Sequence, residues 1–173
     1  LQNIYKIWII AVKNEVKEVL VYLKKTENKP EISCINLQST EPEFHFNLDD
    51  EKHCQSEFSA PKKYIYIPNN SVLKSGAFNL VSEKFGLRKL HQNTHIYTSE
   101  EKIEHFPGRI FETEEINSKA IKKGEQFNII TKNFPLKPEE IKKKYKIKDG
   151  GNQYLIAVKS LSGNHFLVGK LLD

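Results

Sequence analysis

The first apolar run, Ile4 to Val12 (IYKIWIIAV), is rich in β-branched and aromatic residues and predicts a strand. Val16, Val19, Leu20 and Leu23 follow at helical spacing behind Asn14, a suitable N-cap, and predict a helix ending at Asn28-Lys29-Pro30. Ile32 to Leu37 predicts a second strand, and the alternation of Glu43 to Asn47 a third. The order β-α-β-β over residues 1–60 corresponds to part of a split βαβ sandwich. The polar stretch from Asp49-Asp50-Glu51 to Ala60-Pro61 marks a boundary.

Beyond it, Tyr64 to Ile67 predicts a short strand. A long helix is expected from about Ser71 to Phe85, capped by Asn69 or Asn70 and stopped by Gly86. Gly76 in mid-helix costs about 1 kcal/mol relative to Ala, ordinarily compensated by close approach of another backbone. A loop at Leu90 to Asn93 precedes a strand at Thr94 to Tyr97. Arg109 to Glu114 predicts a strand, Ser118 to Lys123 a short helix, and Phe127 to Asn133 another strand. Pro138 opens a helix through Tyr145, with Glu139 and Glu140 in its first turn. A turn at Asp149-Gly150-Gly151 leads into a hairpin of Tyr154 to Leu161 and His165 to Leu171. The whole predicts an α+β protein of two small α/β-sandwich subdomains joined by a long helix: residues 1–60, a connecting strand and helix over 61–90, and a compact unit over 91–173.

Composition narrows the class. Apolar residues are 38% and charged residues 28%, which suits a globular chain rather than a disordered one. The longest apolar run, Ile7 to Val12, is far short of the roughly 20 residues of a membrane span. It also lacks the cleavage site of a secretion signal. The two cysteines, Cys34 and Cys54, point to a reducing, cytoplasmic setting. The chain has no Met and opens on Leu1-Gln2, so it is expected to be a piece of a longer protein. Asn69-Asn70-Ser71 fits the glycosylation pattern only by chance in that setting.

The net charge of +5 is unevenly spread. Residues 1–60 carry 7 Lys against 10 Asp and Glu, whereas residues 61–173 carry 20 Lys and Arg against 12 Asp and Glu. The second part is therefore the candidate for a polyanion partner, through counterion displacement at phosphates, with solvation by lysine as the alternative. The clustered groups are Lys62-Lys63, Arg88-Lys89 with His91 and His95, Arg109, Lys119/Lys122/Lys123, and Lys142-Lys143-Lys144 with Lys146 and Lys148. Tyr64, Tyr66, His91, Tyr97 and Tyr145 lie near them. Lysines beside exposed rings are the pairing that single-stranded RNA uses, whereas rings packed in a core would leave only the lysines.

Catalytic patterns are thin. Ser71-Val72-Leu73-Lys74 matches the S-x-x-K of penicillin-binding enzymes without its supporting motifs, and Ser71 as a helix cap with a solvated Lys74 accounts for it. Cys34, His45, His53 and Cys54 lack zinc-ligand spacing, and His91 and His95 flank a loop, so no metal is assigned. Asn133-Phe134-Pro135-Leu136 loosely matches an amino-methyltransferase motif but lacks its first proline and final aromatic. No Gly-rich loop follows a strand, so no nucleotide-like cofactor site is expected in this chain.

The run YIYIPNNSVLKSGAFNLVSEKFGLRKLHQNTHIYTSEEKIEHFPGRIFE, with NFPLKPEEIKKKYKIKDGGNQYLIAV, resembles the C-terminal region of a bacterial family of class I S-adenosylmethionine-dependent methyltransferase-like proteins that end in a THUMP-like domain. The part from Ile7 to Phe46 is similar to the ferredoxin-like segment preceding that domain. Gln92 departs from the family's Leu-His-Pro-Asn pattern. The resemblance implies an accessory, non-catalytic portion of a methyltransferase whose cofactor domain lies upstream. Its implied partners are RNA, such as tRNA or rRNA, and its own upstream domain, and no membrane. It carries over no catalytic residue. The rival expectations are an interaction module that docks on that upstream domain or on a second copy through the strand Ile4 to Val12, and a hydrolase using Ser71 and Lys74.

Overall fold

The computed structural model describes residues 3–25, 27 and 29–172. The chain divides into two compact units. One comprises Leu1–Ser56, Ile67–Leu87 and Ile103–Arg109; the other comprises Glu57–Tyr66, Arg88–Lys102 and Ile110–Asp173.

The first unit is built on a four-stranded sheet of β1 (Ile4–Val12), β2 (Glu15–Leu23), β3 (Glu31–Leu37) and β4 (Phe44–Asn47), in the order β2-β1-β3-β4. The helix expected after Asn14 is a strand. Lys13 and Asn14 both take positive φ, 49° and 64°, which makes a tight two-residue hairpin turn in place of a helix cap. Val16, Val19, Val21 and Tyr22 have side chains that suit a pleated surface, and this outweighs their partial helical spacing. Asn28, where that helix was expected to end, lies outside the described residues. β1 is consequently an inner strand, antiparallel to β2 and parallel to β3, and the edges of the sheet are β2 and β4.

After α1 (Asp50–His53) and the strand β5 (Tyr64–Pro68), the chain forms two helices, α2 (Asn70–Ser75) and α3 (Phe78–Lys84), instead of one long helix. Gly76 ends α2 at φ +79°, and nothing lies within 4 Å of the Cβ it lacks. Its role is thus a left-handed turn, not the close packing expected of it. Asn69 caps α2, its side chain accepting from the Val72 N–H at 3.1 Å. α2 packs across β1, β2 and β3. Ile9, Ala11, Ile32, Cys34, Phe44 and Phe46 are buried, and Phe44 stacks on Phe85, which meets Phe106 edge-on.

The second unit carries a seven-stranded sheet. Its further members are β6 (Arg88–His91), β7 (Thr94–Ser99), β8 (Gly108–Ile116), β9 (Gln126–Lys132), β10 (Lys148–Ser160) and β11 (Gly163–Leu172), in the order β6-β7-β5-β8-β11-β10-β9. Half of the expected loop at Leu90 to Asn93 is strand, Leu90 and His91 belonging to β6, and Gln92 and Asn93 form a hairpin turn. The expected helix at Ser118 is a single 3₁₀ turn, Ser118–Ala120. Asp149-Gly150-Gly151 lies inside β10 as an irregularity in its pairing with β9, with Gly150 and Gly151 at positive φ. The helix α4 (Pro138–Tyr145) joins the parallel strands β9 and β10. Its Pro138 start and the Glu140 carboxylate, which accepts from the Lys137 N–H at 2.7 Å, agree with the sequence reading. Ile141 anchors it in a core of Ile121, Phe127, Ile147, Leu155 and Ala157.

Candidate nucleic-acid interface

The β9-α4-β10 crossover decides where the lysines of the second unit gather. Parallel pairing sets Lys148 beside Gln126, and two backbone bonds extend that contact. The Gly124 N–H donates to the Lys146 carbonyl at 3.0 Å, and the Lys148 N–H to the Glu125 carbonyl at 2.9 Å. Residues 122–126 and 146–148, far apart in sequence, are thereby held side by side. Lys122, Lys123, Lys143, Lys144, Lys146 and Lys148 are all exposed there, and none makes an ion pair among the described residues. The lysines of the last turn of α4 also face the negative end of the helix dipole.

Lys142 is set apart from its neighbours. Asp149 and Glu139 both hold its ammonium, each at 2.5 Å, and these hydrogen-bonded carboxylates, Asp149 foremost, push its pKa above the ordinary lysine value. It stays charged but is already paired, which leaves Lys143 and Lys144 as the more available cations of the helix.

The other candidate residues are elsewhere. Lys62 pairs with Glu100 at 3.2 Å, Lys63 with Glu112 at 3.2 Å, and Arg88 with Glu57 at 3.1 Å. Such exposed pairs contribute little to stability, but each places an anion beside a candidate cation. Lys89 is only 3% exposed, on β6, with its ammonium donating to the Gln92 carbonyl at 3.3 Å. The His91 ring accepts from the Asn93 N–H at 3.1 Å and so closes the β6–β7 turn. His95 is half-buried. Burial first, then the charges of Lys89 and Lys132, holds its pKa below the ordinary histidine value. Arg109 belongs to the first compact unit.

The rings expected beside the lysines are buried or half-buried, and the Lys144 ammonium sits over the Tyr145 ring at 5.5 Å. Tyr66 and Tyr97 are fully buried, and Tyr145 packs edge-on against Phe166 at 5.6 Å. Tyr64 is half-buried under the Lys63 ammonium. The stacking platform that single-stranded RNA requires is therefore not formed by these residues.

Ser71 is fully buried and its hydroxyl donates to the Asn69 side chain at 2.7 Å, so it helps fix the α2 cap and is closed to an acylating substrate. A Ser-His-Glu set invisible in the sequence spacing does assemble at the β10–β11 turn. His165 Nδ1 lies 2.6 Å from Glu115, and its Nε2 lies 2.7 Å from Ser160 Oγ and 3.2 Å from Ser162 Oγ. Ser160 is buried and also accepts from the Ser162 N–H at 3.0 Å, which makes the set a lock on the hairpin turn. Among the described residues no group of three or more His, Cys, Asp or Glu could hold a metal ion. No helix among them is long and apolar enough to cross a membrane.

Comparison with known proteins gives matches over two successive parts of the chain. Residues 64–107 match a family of ferredoxin-like domains, and residues 108–169 match a family described as THUMP domain-like. The ferredoxin-like match thus falls on β5 to β7 with α2 and α3, downstream of the Ile7 to Phe46 segment to which the sequence resemblance attached it. The exposed lysines of the crossover all lie within the THUMP-like match. No curated protein matches the chain. A crystal structure of a "putative methyltransferase" from Porphyromonas gingivalis W83 superposes with a TM-score of 0.84 and 33% identity over 98% of this chain. The chain spans 46% of that protein's length. Residues 64–169 are therefore similar to a ferredoxin-like domain followed by a THUMP-like domain, each match covering less than half of the chain.

Proposed function

We propose that this chain is the accessory region of an S-adenosylmethionine-dependent methyltransferase, binding an RNA and orienting it for a catalytic domain in the same polypeptide. The observation that carries the reading is the backbone pairing of residues 122–126 with 146–148, which groups unpaired lysines within the THUMP-like match. Lysines without stacking rings recognise phosphates by charge and leave bases unread, so the favoured ligand is the backbone of a folded RNA such as tRNA or rRNA. The likeness to the Porphyromonas gingivalis protein supports the methyltransferase context.

The described residues do not fit the cofactor itself. A nucleotide-like cofactor needs a glycine-rich turn leading from a strand into a helix, and the turn from β5 into α2 is Pro68-Asn69. Gly150 and Gly151 lie within β10. No chemical step is therefore assigned to this chain.

Titrating the chain against bulk tRNA at low and high salt tests the proposal. Binding at low salt that weakens steeply as salt rises is the expected result. Absence of binding at low salt would overturn it.

A further inference from the structure

The β2 edge is unprotected. Val19, Leu20, Val21, Tyr22 and Leu23 are consecutive, apolar, and 47%, 45%, 49%, 49% and 64% exposed. Exposed sheet edges are usually blunted by charge, proline or a bulge; no charge or proline interrupts the five residues, and the irregularity where Tyr22 and Leu23 pair with β1 places its extra residue, Tyr5, on β1. The strand Ile4 to Val12 is an inner strand, so the exposed edge on this side of the sheet is β2.

We propose that this edge pairs with the β2 of a second copy of the chain, antiparallel and with Val21 opposite its own counterpart on a two-fold axis. Such a contact is isologous, each copy giving the same residues. In this register Leu20 faces Tyr22 and Val19 faces Leu23, so every cross-strand pair of the patch is apolar. The next pair outward on each side sets Glu18 against Lys24, which lies just past the end of β2 with its ammonium 5.2 Å from the Tyr5 ring, so that opposite charges close both ends of the patch. Every register displaced by one or two residues sets Glu18 or Lys24 against an apolar side chain. Beyond that pair Lys17 would face Lys25, but Lys17 is already held by Glu15 at 2.8 Å. A partner of another sequence would have to supply both the apolar row and the flanking charges; the strand already supplies them to itself. A contact of one short strand lies at the small end of interface sizes, so the dimer is weak and concentration-dependent.

Sedimentation velocity across micromolar to millimolar concentrations tests this, with the 20.1 kDa chain passing to twice that mass. Val21→Lys places like charges on the axis and should raise the dimer Kd by about tenfold or more. Glu18→Lys alone should weaken the dimer, and Glu18→Lys with Lys24→Glu should restore it, because the pair is only inverted. Far-UV circular dichroism confirms that each variant is folded. A chain monomeric at every concentration overturns the proposal. So does a dimer indifferent to Val21→Lys, or one that the double charge reversal does not restore.

Discussion

The Glu51 carboxylate accepts from the Asn79 N–H at 2.8 and 3.0 Å, and also from the Leu80 N–H at 2.7 Å. It thereby caps α3, whose own N-cap residue, Ala77, has no side chain able to do so. A negative group at a helix N-terminus satisfies free N–H donors and meets the positive end of the dipole. Loss of a cap typically costs about 1 kcal/mol. Glu51→Ala is therefore expected to lower unfolding stability by about that amount in urea titrations, with the slope unchanged, while RNA affinity stays the same. Glu51→Asp, whose shorter side chain does not reach both donors, should fall between the two.

Two glycines distinguish conformational need from steric need. Gly76 has φ +79° with open space around it, whereas a Cβ on Gly169 would lie 2.3 Å from the Glu112 carbonyl oxygen. Gly76→Ala should cost about 1 kcal/mol, the strain of a left-handed turn. Gly169→Ala forces β11 away from β8 and should cost about 1–3 kcal/mol, the larger loss of the two. Thermal melts of both variants would check the order.

His95 gives the fold a pH dependence of known sign. Its pKa in the folded state lies below the ordinary value of 6.5, through burial first and the nearby charges of Lys89 and Lys132 second. The unfolded chain thus binds a proton that the folded chain resists. The contribution is complete above about pH 6.5 and is lost as pH falls from there through the folded value. Glu31 and Glu112 are also held below the ordinary 4.5, by Lys6 and Lys63 respectively, and their stabilisation is lost only at lower pH. Replacing His95 with Gln should remove the loss that begins near pH 6.5 and leave the carboxylate-driven loss in place, as followed by urea unfolding at a series of pH values.

Legibility in the sequence followed the locality of the cause. α4 was readable because Pro138, Glu139 and Glu140 act within one turn, and β1, β3 and β4 because burial and alternation act along a single strand. β2 was misread because Asn14 is as good a residue for a left-handed turn as for a helix cap. Only the Lys13-Asn14 conformation and pairing with β1 decide between the two. The break at Gly76 is likewise a backbone choice that a row of apolar positions does not record. For the site, the lysine-rich segments were visible, but their grouping depends on the bonds between residues 124–125 and 146–148, which pattern alone does not show. The carboxylates beside Lys62, Lys63 and Arg88 come from other segments, as does one of the two beside Lys142, Asp149. The burial of Tyr66 and Tyr97 depends on the sheet they enter.

The central claim is that the exposed lysines of the crossover bind phosphates, and the salt dependence of tRNA affinity measures it most directly. Each phosphate contact contributes about 0.9 to the slope of log affinity against log salt for a duplex backbone. Lys143→Gln with Lys144→Gln should weaken binding at low salt and reduce that slope by about 2, while Lys62→Gln with Lys63→Gln, whose partners are already carboxylates, should change it less. An affinity and a slope unchanged by removing Lys143 and Lys144 would contradict the account.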